Sequence, residues 1–168
     1  MDLPNRKTVR LADFDYSKAG VYFITICTHE KEMLFGNVAG SEMFSESKVI
    51  LSEIGKMADQ EIHNIEKHYD NVKIDHYVIM PNHIHLLIRI TERINPFPTA
   101  RGDIPNIIGK FKAAVSRSVG KAFMPSGREK LWQNSFYDHI IRDEWDYREK
   151  WDYISNNPAR WSEDRLYV

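Results

Sequence analysis

Cysteine is nearly absent from this 168-residue chain: Cys27 stands alone, inside the apolar run VYFITIC. One thiol excludes an internal disulfide and a thiolate metal cluster, and its setting reads as a buried, inert side chain. Long hydrophobic runs are missing too. No stretch approaches the roughly 20 apolar residues of a membrane span, and the opening MDLPNRKTVR lacks the apolar centre of a secretory signal, so a soluble cytoplasmic protein without membrane contact is expected. Charge of either sign is not in excess. A net of -1 argues against a polyanion binder that is basic all over, so any nucleic-acid surface must be local. There is no GxxxxGK[ST] phosphate loop, hence no sign of nucleotide-driven chemistry. Repeats, low-complexity tracts and Pro/Gly-rich linkers are also lacking, which leaves a single domain over residues 1–168.

What is present is 42% apolar and 12% aromatic residues, enough for one sizeable core. Gly20 to Thr28 is β-branched and aromatic and reads as a strand, with Met33 to Asn37 continuing it into a short hairpin that ends near Gly40. Between Ser47 and Tyr69, apolar residues recur at three-and-four spacing (Ile50, Ile54, Met57, Ala58, Ile62, Ile65), which predicts an amphipathic helix. Val72 to Met80 and His83 to Ile90 read as two antiparallel strands joined through Pro81-Asn82. A second helix is expected after Pro105, with Ile107, Ile108, Phe111, Ala114, Val115 and Val119 inward. Ser135 to Ile141 reads as a strand, and Asp143 opens a last helix that ends before Pro158. Strand, helix, strand, strand, helix, strand describes a ferredoxin-like α+β fold, an antiparallel sheet with helices packed on one face. The extra terminal helix is then expected on the other face.

Three features carry chemistry. In His83-Ile84-His85-Leu86-Leu87-Ile88-Arg89-Ile90, two-residue alternation puts His83, His85, Leu87 and Arg89 on one face and the isoleucines with Leu86 on the core face. The two imidazoles then lie about 7 Å apart along the strand, near enough for their nitrogens to share one cation; a pair of half-exposed histidines is the plainer alternative. In the last helix Tyr147, Trp151 and Ile154 form a docking stripe, while Tyr153 lies about 125° away and Asn157 follows it one turn later on nearly the same face. A surface tyrosine followed by a capping asparagine would satisfy the same pattern. Finally, Arg101 to Lys130 holds seven basic residues against two acidic ones, a net of +5. Lys110, Arg117 and Lys121 share an outer stripe of the second helix, a pattern that a solvated face also produces. His139, alone in an apolar strand, reads as structural. So does His76, whose alternation with Val72, Ile74, Val78 and Met80 points it at the core, and so do Tyr137 and Tyr147.

The string HYVIMPNHIHLLI (76–88) resembles the His-hydrophobic-His signature of the HUH single-strand endonucleases. LWQNSFYDHIIRDEWDYREKWDYISNNPARW (131–161) resembles the C-terminal catalytic segment of the REP-associated tyrosine transposases, relatives of the small insertion-sequence transposases with one catalytic tyrosine, and DYSKAGVYFITICTHEKEMLFG (15–36) resembles their opening strand. The likeness runs from about Arg10 to about Trp161, with both catalytic blocks in order. It implies His83 and His85 as metal ligands, Tyr153 as nucleophile and Asn157 as third ligand or metal-side partner, where some relatives carry glutamine. It implies a divalent metal, Mg²⁺ or Mn²⁺, the latter better suited to nitrogen donors. It further implies cleavage and rejoining of single-stranded DNA at a hairpin through a 5′-phosphotyrosine, in a cytoplasmic, nucleoid-associated protein of a bacterium. Lys110, Lys112, Arg117 and Lys121 become the candidates for DNA backbone contact. Relatives include monomers and homodimers, and the sequence leaves both open. A domesticated hairpin-binding protein that no longer cuts is the competing reading. A histidine-triad nucleotide hydrolase would need a third alternating histidine, where this chain has Leu87.

Overall fold

The computed structural model describes residues 15, 18–40, 47–92, 102–123 and 130–168, without the side chains of 121–123. Among the described residues, six strands and three α-helices follow in order: β1 (Gly20–Cys27), β2 (Gly36–Ala39), β3 (Lys48–Leu51), α1 (Glu53–His68), β4 (Val72–Met80), β5 (His83–Ile90), α2 (Ile104–Phe123), β6 (Tyr137–Ile140) and α3 (Glu144–Asn156). The main sheet is ordered β4-β5-β1-β6 and every neighbouring pair is antiparallel. This is the ferredoxin-like α+β arrangement expected from the element order. Strands β2 and β3 pair with each other in a separate small sheet.

That small sheet corrects the reading of Ser47 to Tyr69 as one helix. Lys48–Leu51 is a strand, and α1 starts where Ser52 accepts from the Gly55 N–H and caps it. Ile50, counted as an inward helical residue, is exposed. Gly55 is where α1 meets the strand pair. A Cβ there would sit 2.1 Å from the Phe35 carbonyl oxygen, so the close approach demands glycine. Asp103 opens α2 by accepting from the Asn106 N–H. Within α2, Gly120 takes a left-handed φ of 54° that interrupts the helical backbone.

Alternation along the strands gives the sheet two unlike faces. Ile24, Ile26, Ile84, Leu86, Ile88 and Ile90 point to the α1/α2 side. There they join Ile54, Ile62, Ile65, Ile107, Phe111 and Val115 in the large core. The other face holds a small cluster of Val21, Phe23 and Leu87 covered by Ile154 of α3. β4 obeys alternation only in part. Its register shifts between Ile74 and His76, so a bulge at Asp75 turns every later residue over. Ile74 faces the large core, but His76, Val78 and Met80 stand opposite Leu87, His85 and His83. His76 is therefore on the α3 face rather than in the core. It stacks on Trp151 at 4.2 Å and lies 2.9 Å from Ser155 Oγ.

Candidate active site

His83 and His85 project from β5 onto the α3 face as the alternation requires, and both are buried, at 0% and 1% exposure. A buried imidazole needs partners, and each has one on the Nδ1 side only. His83 Nδ1 lies 2.8 Å from Asn82 Oδ1. The Asn82 amide nitrogen donates to the carbonyls of Lys31 (3.2 Å) and Leu166 (2.8 Å), so its oxygen must be the acceptor. His83 then carries its proton on Nδ1 and presents a bare lone pair at Nε2. His85 Nδ1 is 2.8 Å from Thr25 Oγ1, across the strand pair that aligns Thr25 with His85. Both Nε2 atoms are buried and have no hydrogen-bond partner. Their ring centroids are 4.5 Å apart.

α3 brings the phenol to this pair. Asp143 caps the helix by accepting from Asp146 N, the Tyr147 hydroxyl of the first turn donates to Asp75 beside Arg89, and Ile154 anchors the last turn. Tyr147 is thereby a docking residue. Tyr153, 38% exposed, sets its ring 5.1 Å from that of His85 and edge-on to Phe23. Asn157, one turn on, is buried, and its Oδ1 lacks any partner. Tyrosine, asparagine and both histidines of one chain thus meet without a second copy.

One member of the constellation escaped the sequence. Asp164, in the segment after α3, accepts at Oδ2 from Asn157 Nδ2 (2.7 Å) and from the Tyr153 hydroxyl (3.2 Å), and at Oδ1 from the Leu166 N–H (2.6 Å). Ligand atoms of His83, His85 and Asp164 all lie within 4.8 Å of one another. Two imidazoles with unpartnered Nε2 atoms and a carboxylate in one group, with an orphaned amide oxygen at the end of α3, are a donor set that fits a divalent cation. Burial pushes the His83 pKa down to about 4, against the opposing pull of Asp164 and Asn157. Burial also holds His85 well below the ordinary value, with His83 and Arg165 adding to it. Both rings are therefore neutral and ready to ligate at pH 7. Burial, the Asp164 charge and its hydrogen bond raise Tyr153 to about 12, so the phenol is protonated at pH 7.

A cleft of about 530 Å³ opens beside Tyr153 and is lined by Glu149, Asp152, Asn157, Arg160, Glu163 and Asp164. Four carboxylates against the one guanidinium of Arg160 make it acidic. A second hollow of about 410 Å³ shares Glu149, Tyr153, Glu163 and Asp164 with the first and is walled besides by Phe23, Tyr137, Lys150 and Arg165. Tyr137 is exposed rather than packed inside, with the Arg165 guanidinium 5.8 Å over its ring. His139 is satisfied by Asp146 at 2.8 Å.

The four basic residues of α2 lie apart from this site, on the helical layer across the sheet. Lys110 sits over the Tyr69 ring and, with Arg117, lines a groove between α1 and α2. The Lys112 ammonium donates to the carbonyls of Gln133 and Ser135, so it holds the loop before β6. The Lys121 side chain lies outside the described residues.

Residues 43–157 match the family model described as "Transposase IS200 like". The chain belongs to the IS200-like transposase family. Among relatives of this chain, a Haemophilus influenzae protein described as uncharacterized is 36% identical, over 98% of this chain and 94% of that one. A putative REP-associated tyrosine transposase of Haemophilus influenzae is 25% identical, over 87% of this chain and 74% of the relative. The fold matches that of a REP-associated tyrosine transposase solved bound to a REP hairpin, with a TM-score of 0.62 and 21% identity over 93% of this chain and 76% of that one. Among the described residues no helix is long and apolar enough to cross a membrane.

Proposed function

We propose that this transposase cleaves and rejoins single-stranded DNA beside a hairpin, with Tyr153 as the nucleophile. The observation that carries the reading is the convergence, within one chain, of the Tyr153 phenol with two buried imidazoles whose Nε2 atoms have no protein partner. Such atoms are costly to bury unless something binds them. His83, His85 and Asn157 Oδ1 would hold a divalent cation, Mg²⁺ or Mn²⁺, whose chemistry is to polarise the scissile phosphate and fix its orientation.

The chain's own groups do the rest. Asn82 and Thr25 lock the two rings with their free nitrogens inward. Phe23, packed against both His85 and Tyr153, keeps nucleophile and ligands at a fixed spacing, which supplies the alignment that in-line attack requires. Attack forms a bond from Tyr153 Oη to phosphorus and breaks the bond from phosphorus to the 3′ oxygen. The proton lost by the phenol balances the one gained by the released 3′-hydroxyl. The 5′-phosphotyrosine conserves the bond energy, and reversal of the step joins strands without ATP.

Only unstacked nucleotides can bring a phosphate into so concave a site, hence the single-stranded substrate. A hairpin stem would lie on the helical layer, where Lys110, Arg117 and Lys121 are proposed as its backbone contacts; Lys112 is held by the β6 loop. The test is to incubate a 3′-labelled hairpin oligonucleotide bearing single-stranded flanks with the protein and Mn²⁺. A denaturation-resistant protein–DNA adduct that disappears in Tyr153→Phe, with hairpin binding retained, is the expected result. Tight binding with no adduct in the wild-type protein would replace this reading by a hairpin-binding module that does not cut.

A further inference from the structure

We infer that Asp164 supplies the charged ligand of the cation, so that the segment following the tyrosine helix is part of the metal site. The inference rests on the metal-dependent reading above and deepens it. Its first support is position. A carboxylate oxygen of Asp164 and ligand nitrogens of His83 and His85 lie within 4.8 Å of one another, and both histidine Nε2 atoms point bare into a buried space.

Its second support is charge. Two neutral imidazoles and an amide oxygen bring no negative charge to a 2+ ion in a buried setting, where an uncompensated charge is expensive. Hard divalent cations are held by carboxylates wherever a site can offer one. Asp164 is the one carboxylate whose ligand atom joins the histidine pair among the described residues.

Its third support is the way the carboxylate is held. Asn157 Nδ2 and the Leu166 N–H restrain its two oxygens separately, as outer-shell partners do for a metal-bound acid. The segment bearing it is pinned by the Leu166 carbonyl to Asn82, the residue that also orients His83. Trp161 lies 5.8 Å from the His83 ring with Tyr167 edge-on to it. One asparagine and one indole therefore fix the spacing between the strand that carries the imidazoles and the segment that carries the acid. In this arrangement Asn157 has two tasks: its oxygen faces the cation and its nitrogen steers Asp164.

The test reads Mn²⁺ binding itself, without DNA, by titrating the full-length protein with MnCl₂ and following free Mn²⁺ by electron paramagnetic resonance. Asp164→Asn keeps the shape and removes the charge; Asp164→Ala guards against an amide that still ligates; Tyr153→Phe serves as the site variant that keeps all proposed ligands. Thermal midpoints without metal establish that each variant is folded. The expected outcome is that both Asp164 variants bind Mn²⁺ at least about tenfold more weakly, the scale on which even outer-shell partners act, while Tyr153→Phe binds as the wild type does. Equal Mn²⁺ affinity in wild type and folded Asp164 variants overturns the inference and leaves the tyrosine reading standing. A wild-type protein that binds no Mn²⁺ overturns both. Loss of the DNA adduct in Tyr153→Phe with Mn²⁺ affinity intact separates the nucleophile from the ligand set.

Discussion

The two faces of one sheet have been put to opposite uses. Toward α1 and α2, β1 and β5 present Ile24, Ile26, Ile84, Leu86, Ile88 and Ile90 to a continuous apolar layer in which each is nearly inaccessible. Toward α3, the same strands present Thr25, His83 and His85 beside a cluster of only four buried apolar residues. Burying a large aliphatic side chain contributes roughly 1.5–3 kcal/mol, whereas burying an unpaired polar nitrogen costs about 1–3 kcal/mol. One face therefore holds the fold together, and the other draws on that stability to keep two unpartnered imidazole nitrogens buried. The lesson is that adjacent residues of β5 carry stability and chemistry separately, one by one.

The largest effect should come from crossing that divide at His85. His85→Ala is expected to reduce adduct formation on a labelled hairpin to background, while the metal-free protein loses less stability than truncation of a buried apolar residue costs, because removal of an unsatisfied buried nitrogen offsets part of the lost packing on Phe23 and the lost Thr25 bond. A large loss of stability would show that the ring is a packing element instead. Its neighbour should behave in the opposite way: Leu86→Ala is expected to cost about 2–5 kcal/mol in urea unfolding and to leave adduct yield per folded molecule unchanged. Next in size is the helical layer itself. Substituting Lys110, Arg117 and Lys121 together by alanine should weaken hairpin binding and flatten its dependence on salt, leaving cleavage of a short unpaired oligonucleotide intact; binding unaltered at every ionic strength would move the stem elsewhere.

Acid should reveal the α3 face alone. His83 has a folded pKa near 4 against an ordinary 6.5, and His85 is lowered too. Between those values the unfolded chain binds more protons than the folded one, so stability of the metal-free protein is full above pH 6.5 and declines as pH falls toward 4. Denaturation midpoints across that window check the sign, and His83→Ala should shallow the slope. The smallest effect is expected at the start of α1, remote from both: Ser52→Ala removes the cap and should cost about 1 kcal/mol with no change in adduct yield.

Much of this contrast could be read before any coordinates. Alternation assigned every residue of β5 to its proper face, and the helical angle between Tyr153 and the Tyr147–Trp151–Ile154 stripe turned the phenol away from that stripe. The failures have definite physical causes. Lys48–Leu51 carries its apolar residues close enough to helical spacing to be absorbed into α1, and only pairing with β2 shows it to be a strand. His76 was misplaced because one extra residue at Asp75 reverses the parity of everything after it, a change that composition does not announce. Asp164 gave no signal at all, for it lies in a segment without periodicity and joins the histidines through space alone. Thr25 needed the register of β1 on β5. Asn82 stood next to His83 in the chain, and its turn position drew attention away from its side chain.

That side chain has a consequence for how the molecule behaves as a whole. Three separate stretches, the turn after β1 through Lys31, the end of the chain through Leu166 and the imidazole of His83, all terminate on a single carboxamide. Detaching the C-terminal stretch would leave one amide hydrogen idle and rest the orientation of the group, and with it the His83 tautomer, on the Lys31 carbonyl alone. The segment around Leu166 and the His83 tautomer are thus coupled through one side chain, each end of the same carboxamide serving one of them.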